Sequence, residues 1–309
     1  MVTFGRLGTI NQRITNMNEQ IMNEKSEQLL RELKKYQKSS AAYEKARLKM
    51  VKREQRALGL TDAVVQRELK SVGVDVKSLL KDTAAEEKEL RKTHKRFLAL
   101  VRPPILPGDL VLEIPPDPNV FDVKPPAIQG FGGGSFSDAD CGFNLAVGET
   151  NLFVSEQGDG WGWQATAGSP GISTLVFLFT PPRAGNILVD AYVDFKGQFA
   201  ISAHDHWYTN TDADITLSVS SRLFQHYWEF GPGETIIDEH RTSSSNSAWV
   251  DRLVKLSYST SVSANDSVLI FVEVVLDTNA HSSHAKVDVD FKTGAERRIK
   301  VPLIQIRYF

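Results

Sequence analysis

The chain has a single cysteine, Cys141, among 309 residues. No internal disulfide can staple it, so its fold does not depend on an oxidising compartment. Long apolar runs are missing too: no stretch reaches the roughly 18 uncharged apolar residues that a helix needs to span a bilayer. The opening residues, MVTFGRLGTINQRITNMNEQ, lack an apolar core ahead of a small-residue cleavage site, so no secretory signal is expected. These absences describe a soluble protein, cytoplasmic or exported without a classical signal peptide.

Catalytic signatures are also lacking. The run GFGGGS at 130–135 follows extended chain and opens no helix, so it lacks the strand-turn-helix setting of a phosphate cradle. Cys141 has Asp140 and Gly142 beside it and no local base. Asp288 and Asp290, in VDVDF, share one strand face and read as a solvated pair of carboxylates. No enzyme activity and no cofactor are expected.

What the chain does have is concentrated. Eight of its 13 prolines lie between Arg102 and Gly134. Each fixes φ, removes an N–H and pushes the preceding residue out of the helical region, so no helix crosses this stretch. Charge divides at the same place. Residues 1–101 hold 22 Lys and Arg against 13 Asp and Glu, a balance of +9, which leaves 14 against 25, or −11, for the rest. The basic residues are interleaved with Glu at helical spacing and do not form a block, so they read as a solvated face and no nucleic-acid partner is expected.

Before the prolines, the period is helical. Ile10, Ile14, Met17 and Ile21, then Leu29, Leu33, Tyr36 and Tyr43, mark a stripe on a long helix of about residues 9–58, with no proline or glycine between Thr9 and Leu58. A short helix over about 61–72 and another long one over about 75–101 follow, with Gly59 and Gly73 as breaks. Thr83, Glu87 and His94 occupy stripe positions that a buried seam would fill with Leu or Ile. After Gly134 the period becomes two. Ile187, Val189, Ala191, Val193 and Phe195 alternate up to an expected turn at Lys196–Gly197, and comparable alternations begin at Ile215, Val268, Val287 and Ile299. Expected loops lie at Gly231–Gly233 and Thr242–Ser247.

The fold class expected is therefore α+β in two segregated parts: an N-terminal long helical hairpin or coiled-coil arm (1–101), a Pro/Gly-rich extended connector (102–134) and an antiparallel all-β sandwich or jelly-roll head (135–309). About half of the connector should be pinned by its apolar residues, with Gly130–Gly134 as the hinge.

Aromatic residues carry the candidate site. Trp161 and Trp163 flank Gly162 in QGDGWGWQ, and Ala203-His204-Asp205-His206-Trp207-Tyr208 adds two more rings and two histidines. Flat rings beside Asp, Asn and Gln suit glycan or protein recognition, because the ring buries apolar area while polar neighbours fix orientation. Trp161, Trp163, His204, His206, Trp207 and Tyr208 are the expected ligand-contacting residues. On a strand His204 and His206 share a face, which makes them weak metal candidates, with Asp238, Glu239, His240, His281 or His284 as a third ligand.

The function these features suggest is a non-enzymatic structural or interaction protein. Its arm would form a homo-oligomer or hold a protein partner, and its head would recognise a partner or receptor. Two alternatives remain. One is a membrane-acting, pore-forming toxin, for which Thr242–Ala248 and LSYSTSVS offer amphipathic strands, although the arm's frequent charges oppose lipid burial. The other is a carbohydrate-binding module.

Overall fold

Alternating apolar residues build the body of the molecule, because each strand turns one row of side chains inward and the next outward. The computed structural model describes residues 62–100, 117–134, 140–158, 166–168, 171–205 and 211–309. Within them lie helices α1 (Asp62–Ser71) and α2 (Val76–Leu100), and a 3-10 turn at Leu145–Val147. The first strands are β1 (Val120–Val123), β2 (Gln129–Gly134), β3 (Asp140–Asn144), β4 (Glu149–Gln157), β5 (Thr166–Gly168) and β6 (Gly171–Phe179). The long strands follow: β7 (Gly185–Ala203), β8 (Asp212–Phe224), β9 (Trp228–Arg241), β10 (Ser245–Val262) and β11 (Val268–His281), then β12 (Ala285–Asp290) and β13 (Arg298–Tyr308).

They form two antiparallel sheets. One runs β1-β13-β4-β12-β7-β10, with β3 added on β4, and the other β2-β6-β11-β8-β9, with β5 added on β11. Between them sits one core, to which β7 gives Val189, Val193, Phe195 and Ile201, β8 gives Ile215 and Leu217, and β11 gives Ile270 and Val274. The last strand belongs to it fully, since Ile304 and Ile306 are completely buried.

The expected fold class is corrected by this arrangement. The chain is mostly β, and no long helical hairpin stands apart from the strands among the described residues. α2 packs against β7, inside a compact unit that spans Met50–Phe309. An amphipathic stripe says that a helix has a buried face and is silent on what buries it. Here Val76 and Thr83 of that stripe are buried, and Thr83, which fits a coiled-coil seam poorly, donates its hydroxyl to the Leu79 carbonyl at 2.9 Å. The helix expected at about 9–58 lies outside the described residues, and no helix among those described is long and apolar enough to cross a membrane.

Glycine signals were the other source of error. Gly130–Gly134, expected as a hinge, is part of β2 and pairs with β6 from Gln129↔Val176 to Gly134↔Gly171. The expected turn at Gly197 does not exist, because β7 runs through it. A Cβ there would lie 2.4 Å from the Phe291 ring, so this glycine serves close packing and not reversal. Gly231–Gly233 falls inside β9, where the register shifts against β8. The serine-rich residues from Ser245 onward, with LSYSTSV, form β10, which pairs with β7 from Ser245↔Ser202 to Val262↔Gly185. Membrane insertion through this strand requires breaking that ladder.

Candidate functional site

Strand register brings eight strand ends to one end of the sandwich. Ala203 of β7 lies opposite Ala285 of β12, and Ser202 opposite Ser245 of β10. His281 of β11 pairs with Asp212 of β8 on one side and Thr166 of β5 on the other, while Lys286 pairs with Gln157 of β4 and Asp214 with His240 of β9. Gly158 and Thr166, which flank segment 159–165, and Asp205 and Thr211, which flank segment 206–210, therefore lie at this same end.

Their attachment points meet on one turn. Ser282, fully buried and at φ 79°, shares a hydrogen bond of 2.8 Å with the hydroxyl of Thr211, which closes the second segment. The Gly158 N–H, which opens the first segment, donates to Ala285 O at 3.1 Å, and Gln157 Nε2 donates to Ser283 O at 3.0 Å. His204 N–H donates to His284 O at 3.2 Å. Gly158 has no room for a side chain, since a Cβ would lie 2.0 Å from the Ser282 carbonyl oxygen. Thr211 N–H in turn donates to Asp205 Oδ1 at 3.2 Å, which ties the two ends of the second segment together.

Polar groups fill the surroundings. On the outward face, His240 Nδ1 lies 2.6 Å from Asp214 Oδ1, and Asn279 Nδ2 donates to both Asp212 Oδ2 and Asp214 Oδ2 at 3.2 Å. Burial raises the carboxyl of Asp212 above its ordinary range, His281 opposes that rise, and Asp214 adds to it. On the inward face, the Thr278 hydroxyl donates to the buried carboxylate of Glu156 at 2.8 Å. Beneath the turn, buried His284 places Nε2 3.7 Å from Glu86 of α2, which connects the helix to this end.

Of the expected site residues, His204 is described and is exposed just beyond β7. Trp161, Trp163, His206, Trp207 and Tyr208 lie outside the described residues. Each stands no more than three residues along the chain from Gly158, Thr166, Asp205 or Thr211. Among the expected third metal ligands, Asp238, Glu239 and His240 lie on β9, His281 on β11 and His284 in the turn before β12. Among the described residues, no three His, Cys, Asp or Glu side chains come together as a metal site. Sequence reasoning missed Gly158, Thr211 and Ser282. A glycine or serine carries no sign of its role until the partner strands are known. The alternation Asp212-Ala213-Asp214-Ile215 was a readable signal for an acidic outer face.

No protein-family model and no curated protein sequence matches the chain. Solved structures give remote likenesses. One is TmCBM61 in complex with β-1,4-galactotriose, at 9% identity over 59% of this chain and 94% of that one, with a TM-score of 0.23. Another is the Arthrobacter globiformis T6 isomalto-dextranase complexed with panose, at 12% identity over 62% of this chain and 24% of that one, with a TM-score of 0.19. A third is the enzymatically active domain of bacteriophage CBA120 tailspike protein 4, at 9% identity over 61% of this chain and 19% of that one, with a TM-score of 0.16. Likeness at these TM-scores carries no argument about function.

Proposed function

We propose that the chain is a non-enzymatic recognition protein that holds a partner at the end of the sandwich where segments 159–165 and 206–210 attach. One observation carries this reading: the attachment points of both aromatic segments meet at the Ser282–His284 turn, beside Asp212, Asp214, His240 and Asn279. A framework that anchors two ring-bearing segments beside carboxylates, an amide and an imidazole suits recognition, since rings supply apolar contact and polar groups fix orientation. The acidic outer face disfavours nucleic acid and anionic lipid as the partner. A printed array of glycans and glycoproteins provides the test, with wild type compared against the combined Trp161→Ala, Trp163→Ala, Trp207→Ala variant. Signals that disappear in the variant while its thermal transition is unchanged support the reading. Equal signals from both proteins, or none from wild type, contradict it.

A further inference from the structure

The solvent face of the second sheet changes character along its length. Toward the Ser282–His284 turn it carries Asp212, Asp214, Asp238 and Asp277. At the other end it carries two apolar rows laid across the strands. Leu178, Leu269, Phe224 and Trp228 are successive register partners on β6, β11, β8 and β9, and Val176, Phe271, Arg222 and Phe230 form the next row. None of the aromatic members belongs to the core between the sheets.

Within these rows Trp228 and Phe230 stack at 6.4 Å with an interplanar angle of 27°, and Phe224 and Phe271 brace Trp228 from beneath at 5.1 and 5.0 Å. The Arg222 guanidinium lies 5.8 Å from the Trp228 ring centre and 5.9 Å from that of Phe230, held there by its ion pair with Glu273. Phe230 is 71% exposed, and Tyr227 at the hairpin tip 57%. Phe271 is buried beneath these rings, and the outer rings that face water call for an occupant.

We propose that this strip is a binding platform for a neutral oligosaccharide, with Phe230 and Trp228 stacking on sugar rings and Arg222 with Glu273 hydrogen-bonding their hydroxyls. The site is separate from the end at the Ser282–His284 turn and does not rest on the function proposed for it. Size and charge select this occupant. Phe230 and Tyr227, the exposed rings at this end, offer roughly 300 Å², well short of the ~800 Å² per partner that a stable protein interface buries. That is enough for one or two pyranose rings. The edge strand β9 carries Pro232 and two register shifts, which block pairing with a strand of a second copy. Five carboxylates on this face against Arg222 oppose phosphate, sialic acid or an acidic membrane surface.

Calorimetric titration of the full chain with maltohexaose, cellohexaose and β-1,4-galactohexaose tests the proposal. At least one of the three is expected to bind wild type with a Kd at or below about 1 mM. Phe230→Ala should weaken it at least tenfold at an unchanged thermal transition, while the combined Trp161, Trp163 and Trp207 alanine variant should keep it. No binding by any of the three to wild type overturns the proposal, as does wild-type affinity in Phe230→Ala. Affinity lost only in the combined variant also overturns it and moves the site to the end at the Ser282–His284 turn.

Discussion

The two ends of the second sheet's solvent face use the same strands for opposite chemistry. β8 carries Asp212 and Asp214 beside the Ser282–His284 turn and Arg222 and Phe224 at the hairpin end, all on the outward row, while its inward row is apolar except for Ser221. β11 does likewise, from Leu269 and Phe271 to Asp277 and Asn279. The core needs only the inward row, so the outward row is available for function and can change along a single strand without altering the fold. The ends also differ in how they are fixed. The end at the Ser282–His284 turn relies on buried hydrogen bonds and a glycine with no space around it, whereas the hairpin end relies on ring packing.

Removing Pro302–Phe309 should erase both ends together. The truncation deletes Ile304 and Ile306 from the core and the Tyr308 hydroxyl that donates to Arg183 O at 2.8 Å. Loss of the cooperative thermal transition is expected. A truncated chain that melts like the intact one would mean that β13 is dispensable.

Gly158→Ala should damage the end at the Ser282–His284 turn alone. A methyl group 2.0 Å from the Ser282 oxygen must displace backbone, and a destabilisation of about 3 kcal/mol is expected by chemical denaturation. Trp228→Ala is the matching change at the hairpin end. It removes a half-buried ring from Phe224 and Phe271 and should lower stability by about 2 kcal/mol. If the two ends are independent, the effects should add within about 0.5 kcal/mol in the double variant.

Asp212→Asn probes the polar end by pH. Burial raises the carboxyl's pKa in the folded state, above the roughly 3.9 expected for the unfolded chain. The folded protein therefore binds that proton more tightly, and ionising Asp212 lowers stability as pH rises through its folded pKa. The asparagine variant escapes this loss, so its thermal midpoint should exceed that of wild type at neutral pH. The advantage should fade as pH falls below about 3.9. An advantage that persists unchanged at low pH would point to packing and not to charge. The smallest effect belongs to Phe230→Ala, which should change stability by less than about 0.5 kcal/mol because the ring is exposed.

Strands with strong alternation were legible in the sequence. The runs starting at Ile187, Ile215, Val268, Val287 and Ile299 all lie in strands, since a half-buried strand must alternate. Glycine was misread at 134, 197 and 231 because the sequence shows that a side chain is missing and not why. Gly197 is required by a ring 94 residues later in the chain, at Phe291. The helical arm was misread for a related reason: the Val76 and Thr83 stripe is present, and among the described residues the helix that carries it packs against β7. At the candidate site, the aromatic residues were visible by type. That their segments attach at one end follows from pairings such as His281 with both Asp212 and Thr166, which join distant parts of the chain.

The proposed recognition site requires the two aromatic segments to act on one ligand. A double-mutant cycle on the best array ligand tests it directly, using Trp161→Ala/Trp163→Ala, Trp207→Ala and their combination. Shared binding predicts non-additive losses, with a coupling energy of about 1 kcal/mol or more. Losses that add within about 0.3 kcal/mol would show that the segments bind separately, and would contradict a single recognition site at this end of the sandwich.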